Sequence, residues 1–294
     1  MLTIKDLTKT YSNGVQALAG VSLDISEGMF GLLGPNGAGK SSVMRTLATL
    51  QEADSGSAFL NDIDILNNKE KLRQVLGYLP QEFGTYPRVS AIRMLDHFAV
   101  LKGIVDKGER KELVEHLLNE VNLWDVRKTA VSTYSGGMKQ RFGIAQALIG
   151  DPQLVIVDEP TAGLDPQERR RFHNLLADIG SDTVVILSTH IVDDVSDLCS
   201  NMAIMGGGKI LMKGQPNEVI AQLDGSIYSK LIDRSALIEH ESNYRVLFST
   251  LVGGRTKIHI VSDFNPGDGF EASGASLEDV YFSTLHDNKI SVAA

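Results

Sequence analysis

Nine consecutive residues, Gly34 to Ser42, read GPNGAGKSS, and their types and spacing suit the binding of a phosphate chain. They follow the apolar run Met29 to Leu33 and open a stretch with helical spacing, Ser41 to Leu50. Gly34, Gly37 and Gly39 let the backbone turn tightly, so that successive N–H groups and a helix N-terminus surround phosphate oxygens where a Cβ would obstruct. Lys40 would neutralise the β and γ phosphates, and the Ser41 hydroxyl would ligate magnesium. Pro35, Asn36, Ala38 and Ser42 complete the candidate contacts. The competing reading is a glycine-rich turn with a solvated lysine, and the agreement of strand, loop and helix leaves it little weight.

A second cluster is LVIVDEP, Leu154 to Pro160, a short buried strand ending in two acids, with Pro160 closing the ladder because it has no N–H. Parallel sheets bind ligands at the C-terminal edge of their strands, which places Asp158 near the phosphate loop, where it can hold magnesium through water. Glu159 then polarises the attacking water; taken alone, the pair would read as a helix cap and a solvated charge. His190 follows the run Val184 to Leu187 through Ser188 and Thr189, where an imidazole can donate to a γ-phosphate; by itself it would be an ordinary loop residue. Upstream, Ser135 is a good N-cap for a helix Met138 to Leu148, and Gly136 and Gly137 expose N–H groups at its positive end, a second anion site.

One nucleotide has little use for two such sites. The order of the segments supplies the reason: the phosphate loop resembles a Walker A loop, LVIVDEP a Walker B strand, and TYSGGMKQRFGIAQAL, Thr133 to Leu148, the signature of ABC (ATP-binding cassette) ATPases. The resemblance covers about residues 2 to 225. It implies that Tyr11 stacks on adenine, that Gln81 in GYLPQ is the Q-loop glutamine and a magnesium ligand, that AGLD ending at Asp165 is the D-loop, and that His190 is the H-loop histidine. It implies ATP and Mg2+ as ligands, with Glu159, His190 and Lys40 as the catalytic set. It further implies a homodimer or paired cassette whose chains meet head to tail, each ATP lying between one Walker A loop and the other chain's Ser135, Gly136 and Gly137. A separate transmembrane permease is the expected partner, with the chain peripheral on the cytoplasmic, inner face of the cell membrane. Tyr134 and Met138 depart from the common LSGGQ signature. With PQEFGTYPRVSA and SLEDVYFSTL they resemble ATPases of ABC-2-type exporters, which handle drugs, antibiotics, lipids or polysaccharides.

The elements that must hold these residues are an α/β arrangement: isolated aliphatic runs at Met29 to Leu33, Val75 to Leu79, Leu154 to Val157, Val184 to Leu187 and Met202 to Met205, alternating with helical stretches such as Gln167 to Ile179. The expected fold is a P-loop NTPase (RecA-like) with a mainly parallel sheet, an N-terminal antiparallel β subdomain, a helical insertion at about 90–150 and a small β-rich appendage over 225–294, after a cassette of 1–224. YRVLFSTL and TKIHIVSD read as appendage strands, NPGDG and ASGAS as turns or loops.

Composition narrows the function classes. A net charge of -9 gives no general attraction to nucleic acid. Cys199 is the only cysteine, so neither an intrachain disulfide nor a cysteine zinc cluster is available, and a reducing compartment fits. MLTIKDLTKTY lacks the basic start and apolar run of a secretory signal, and no apolar run approaches the ~20 residues that cross a bilayer. Two other classes compete. Soluble ABC ATPases of translation or DNA repair usually join two cassettes or insert a long coiled coil, neither of which is seen here. A regulatory switch without turnover would be expected to lose Glu159.

Overall fold

A computed structural model describes residues 1–81, 84, 86–179 and 183–290. Its centre is a six-stranded sheet assembled from β3 (Gly28–Leu33), β6 (Leu76–Leu79), β7 (Leu154–Asp158), β8 (Val184–Thr189), β9 (Asn201–Gly206) and β10 (Lys209–Gly214). The order is β10-β9-β3-β8-β7-β6; every pairing is parallel except the hairpin of β9 with β10. β7 reads LVIVD and every residue is buried, as expected of a parallel strand covered on both faces.

Alternation along the strands sorts their side chains into two cores. On one face, Met29, Leu33, Val155, Val157, Val185 and Leu187 join a cluster with the helices α3 (Ala91–Leu101), α4 (Lys107–Glu120) and α5 (Gly136–Ala147). On the other, Phe30, Leu32, Leu154, Ile156, Val184 and Ile186 pack with α1 (Lys40–Leu47) and the antiparallel sheet of β1 (Leu2–Thr10), β2 (Gln16–Ile25), β4 (Ser55–Leu60) and β5 (Ile63–Asp64). The short α2 (Lys69–Gln74) leads into β6. Between α5 and β8 come β7 and α6 (Pro166–Ile179); α7 (Val192–Leu198) and α8 (Pro216–Ala221) flank the β9–β10 hairpin. The expected helix Ser41 to Leu50 stops earlier, at Leu47, where the chain turns and Thr49 takes a left-handed φ of 61°.

Beyond residue 224, β11 (Ile227–Ile232), β12 (Val246–Val252), β13 (Arg255–Val261) and β14 (Glu271–Ala272) form an antiparallel sheet in the order β12-β13-β11-β14, with α9 (Leu237–Asn243) beside it. Tyr228, Ile232, Ile258, Ile260 and Phe270 make its own small core. The last helix, α10 (Leu277–Asp287), starts with a capping box in which Ser276 and Asp279 satisfy each other's backbone N–H groups. Its apolar residues Leu277, Val280, Tyr281 and Leu285 belong to the cassette's main cluster, so SLEDVYFSTL is a strap from the appendage to the cassette. No helix among the described residues is long and apolar enough to cross a membrane.

Candidate functional site

The phosphate loop sits between β3 and α1, as strand, loop and helix require. Its three glycines are needed for different reasons. Gly39 begins the helix with φ 106°, and a Cβ there would lie 2.4 Å from the Ala17 carbonyl oxygen, so position 39 takes only glycine. Gly34 needs no unusual φ; it is small because a Cβ would meet the Met205 carbonyl oxygen at 2.4 Å. Gly37 differs again: a Cβ built there would meet no protein atom within 4 Å, so its side adjoins open space, and within the protein it is the left-handed φ of 80° that favours glycine. Asn36 to Ser42, Gly37 included, border a cavity of about 500 Å³, joined on its walls by Tyr11, Gln81 and Glu159.

Lys40 is 4% exposed, and its ammonium donates to the carbonyl oxygens of Gly34 (2.6 Å) and Pro35 (3.2 Å) while lying 3.6 Å from Glu159 Oε1. Burial pushes its pKa below the ordinary lysine value, opposed by the nearby carboxylates of Glu159 and Asp158. Asp158 is buried at the end of β7 and accepts the hydroxyl of Ser188 from the neighbouring β8. One residue on, Glu159 takes a left-handed φ of 47°, a conformation that costs a residue other than glycine on the order of 1–3 kcal/mol and turns the chain out of the strand. Its N–H still donates to Ser188 O at 2.9 Å. The carboxylate is engaged on three sides: by Lys40, by His190 Nδ1 at 3.4 Å and by Gln81 Nε2 at 3.3 Å. Glu159 is thus the hub that joins loop, Q-loop glutamine and histidine, a set of contacts that the order of the residues does not reveal.

Tyr11, at the end of β1, reaches the first turn of α1 through its hydroxyl, 2.9 Å from Ser42 Oγ and 2.9 Å from Gln51 Oε1. Ser135, Gly136, Gly137 and Asp165 lie elsewhere. Ser135 caps α5, accepting from Met138 N–H at 3.3 Å, so this helix starts at Gly136 rather than Met138. Gly137 lies against α6, where a Cβ would come 2.4 Å from Glu168 Oε2. Asp165 caps α6 by accepting from the N–H groups of Gln167 and Glu168 at 2.9 Å each. None of these four borders the cavity among its described lining. Of PQEFGTYPRVSA, Glu82, Phe83 and Thr85 lie outside the described residues.

Three participants escape a reading of the sequence. Ser188, at a strand end beside the acid-bearing strand, has a positional signal; Gln51, in the turn after α1, has none. Asp194 is completely buried and accepts from Thr161 (2.5 Å), Thr189 (3.2 Å), Arg169 (2.8 Å) and His173 (2.8 Å), tying the segments that follow Glu159 to the one that precedes His190.

A glycine loop wrapped on a helix N-terminus, with a buried acid two strands away at the same sheet edge, defines a P-loop nucleoside triphosphatase. The sequence pattern of the family described as ABC transporter matches residues 18–162. The uncharacterised ABC transporter ATP-binding protein YxlF of Bacillus subtilis is 32% identical over 97% of this chain and all of its own length. The linearmycin resistance ATP-binding protein LnrL of the same organism is 33% identical over 79% of this chain and 74% of its own. ABC transporter A family member 8 of Dictyostelium discoideum is 37% identical over 72% of this chain, which spans only 26% of that longer protein. Among solved structures, cbiO1 from Clostridium perfringens, part of the ABC transporter complex cbiONQ, superposes with a TM-score of 0.68 at 28% identity, covering 75% of this chain and 90% of cbiO1. The chain belongs to the ABC transporter family, as one of its ATP-binding, ATP-hydrolysing chains.

Proposed function

We propose that the chain binds ATP in the cavity between Tyr11 and the phosphate loop, hydrolyses it with Glu159 as general base, and energises export through a separate membrane-spanning chain. The observation that carries the reading is the position of Glu159, held by Lys40, His190 and Gln81 at the mouth of the phosphate loop. Lys40 binds and neutralises the β and γ phosphates, giving up its loop carbonyls for them. Glu159 accepts a proton from the attacking water as that oxygen bonds to the γ-phosphorus and the bridging oxygen leaves with ADP. His190 donates to a γ-phosphate oxygen and orients Glu159.

The residues present suit Mg2+. The donors at hand are hard oxygens, the Ser41 hydroxyl, the Asp158 carboxylate through water and the Gln81 amide oxygen. Mg2+ keeps several waters and takes few protein ligands beside substrate phosphates, so this small donor set is sufficient. When bound, the ion would supply charge neutralisation on the β and γ phosphates.

Ser135, Gly136, Gly137 and Asp165 complete the site from a second copy, or from a paired cassette, because the same chain holds them away from its own cavity. The likeness to LnrL, together with Tyr134 and Met138 in the signature, supports export of a drug-like or lipid-like compound. Such a chain works on the inner face of the cell membrane, bound to its permease, and has no use for nucleic acid.

The test is ATP turnover and binding by two variants. Lys40→Ala should lose useful ATP affinity, whereas Glu159→Gln should keep ATP binding and lower turnover by roughly 10²–10⁴-fold. Wild-type turnover in Glu159→Gln would remove it from the role of base.

A further inference from the structure

Tyr11 and Ser42 share a hydrogen bond, and a third residue decides which of them gives the proton. Gln51 Nε2 donates to the Ser42 carbonyl oxygen (3.2 Å) and faces Thr46 Oγ1 (3.1 Å), itself a donor to the same carbonyl (2.8 Å). That fixes the amide: its Oε1 is turned to Tyr11 and accepts the phenol proton at 2.9 Å. A phenol has one proton, so toward Ser42 the Tyr11 oxygen can only accept, and the Ser42 hydroxyl must be the donor of their 2.9 Å bond.

The direction of this relay, Ser42 to Tyr11 to Gln51, has a consequence for a bound nucleotide. Phosphate oxygens are acceptors only, and Ser42 borders the cavity beside the phosphate loop. A phosphate oxygen that takes the Ser42 proton takes it from Tyr11. The phenol then keeps its bond to Gln51 alone, and that bond does not compete with the ligand because it uses the phenol's own proton rather than that of Ser42. We infer that Gln51 is the positioning residue that holds the Tyr11 ring in place against the nucleotide base while the phosphates are bound. It touches no part of the nucleotide and acts through the phenol. The inference rests on the placement of the base at Tyr11 proposed above.

The ligand pair ATP and inorganic tripolyphosphate separates base from phosphate, since the second has the charge chain without the base. Calorimetric dissociation constants with magnesium would be measured for the wild type, Tyr11→Ala, Tyr11→Phe, Gln51→Leu and the double variant Tyr11→Phe with Gln51→Leu. Gln51→Leu should weaken ATP by roughly two- to tenfold, the range of one neutral hydrogen bond, and leave tripolyphosphate affinity at the wild-type value. Tyr11→Phe should weaken ATP to a similar extent, with tripolyphosphate bound no more weakly than by the wild type because the Ser42 hydroxyl no longer has the phenol oxygen to give up, and the double variant should bind ATP no more weakly than Tyr11→Phe. Gln51→Ala serves as a second truncation, and unchanged tripolyphosphate binding certifies that the loop is folded. Equal losses for both ligands in Gln51→Leu, or additive losses in the double variant, would overturn the inference. So would unchanged ATP binding in Gln51→Leu beside a weakened Tyr11→Ala, while leaving Tyr11 at the base. Unchanged ATP binding in Tyr11→Ala would overturn both.

Discussion

Lys40 and Glu159 are both nearly out of water, yet each faces an opposite charge and several polar partners, so they are poised for a ligand. Cys199 is also buried, against Gly31, but no hydrogen bond or ion pair engages its side chain among the described residues; burial first, and the Asp194 carboxylate second, push its thiol up to about 12. It should therefore stay inert: at about pH 8 the folded protein should not react with a thiol reagent on the timescale of minutes, and should react at once in denaturant. Fast labelling of the native chain would contradict that burial. The residue identities at the site are readable in the sequence because phosphate chemistry demands particular types at fixed spacing, as in Gly34 to Ser42 and in Asp158 with Glu159. The reason for each type is less readable: Gly37 is a glycine for its backbone angle, Gly34 for the space it leaves. Nor does the sequence say who touches whom. The hold of Lys40, His190 and Gln81 on Glu159 joins residues far apart in the chain, and the relay through Gln51 depends on where a turn happens to fall.

Among the elements, strands such as β7 and β8 are legible because both faces are covered and the run is apolar, whereas α10 is hidden in SLEDVYFSTL, whose helical face shows only once it has a cassette to pack on. Strap α10 meets the appendage sheet through a charged contact: His259 Nδ1 lies 2.9 Å from Oδ1 of the fully buried Asp279, and Phe248 stacks on the same imidazole. Burial alone would raise the Asp279 pKa; the hydrogen bonds from His259 and Ser276 outweigh it and hold the carboxyl below its ordinary 3.8. A depressed carboxylate contributes stability that is present above the unfolded pKa and lost as pH falls through the folded one. Acid below about pH 4 should thus loosen α10, and Asp279→Asn should flatten that part of the stability-against-pH curve. His259→Ala should cost on the order of 1–3 kcal/mol at neutral pH, from a buried carboxylate that loses a partner. Chemical denaturation across pH checks both, and an unchanged acid limb in Asp279→Asn would refute the linkage.

At the scale of the molecule, the appendage and the cassette are joined by a shared core. Leu285 is 1% exposed within the main cluster, so Leu285→Ala should destabilise the cassette itself by roughly 2–5 kcal/mol, whereas Leu251→Ala, at a position 75% exposed, should change stability by less than about 0.5 kcal/mol. Loss of ATP binding at the same denaturant midpoint as loss of helix signal would show one cooperative unit; two separate midpoints would argue against it. The larger question is whether one molecule is enough. Ser135 to Gly137 lie outside the described lining of the chain's own cavity, and in the function proposed above a second chain supplies them. Mixing Lys40→Ala chains with Ser135→Arg chains tests this most directly. Each homodimer carries a damaged element in every shared site, but a mixed dimer contains one site with an intact phosphate loop facing an intact signature. Mixing should restore nucleotide trapping at one site per mixed dimer; no trapping, once crosslinking has established that mixed dimers form, would contradict a site shared between chains.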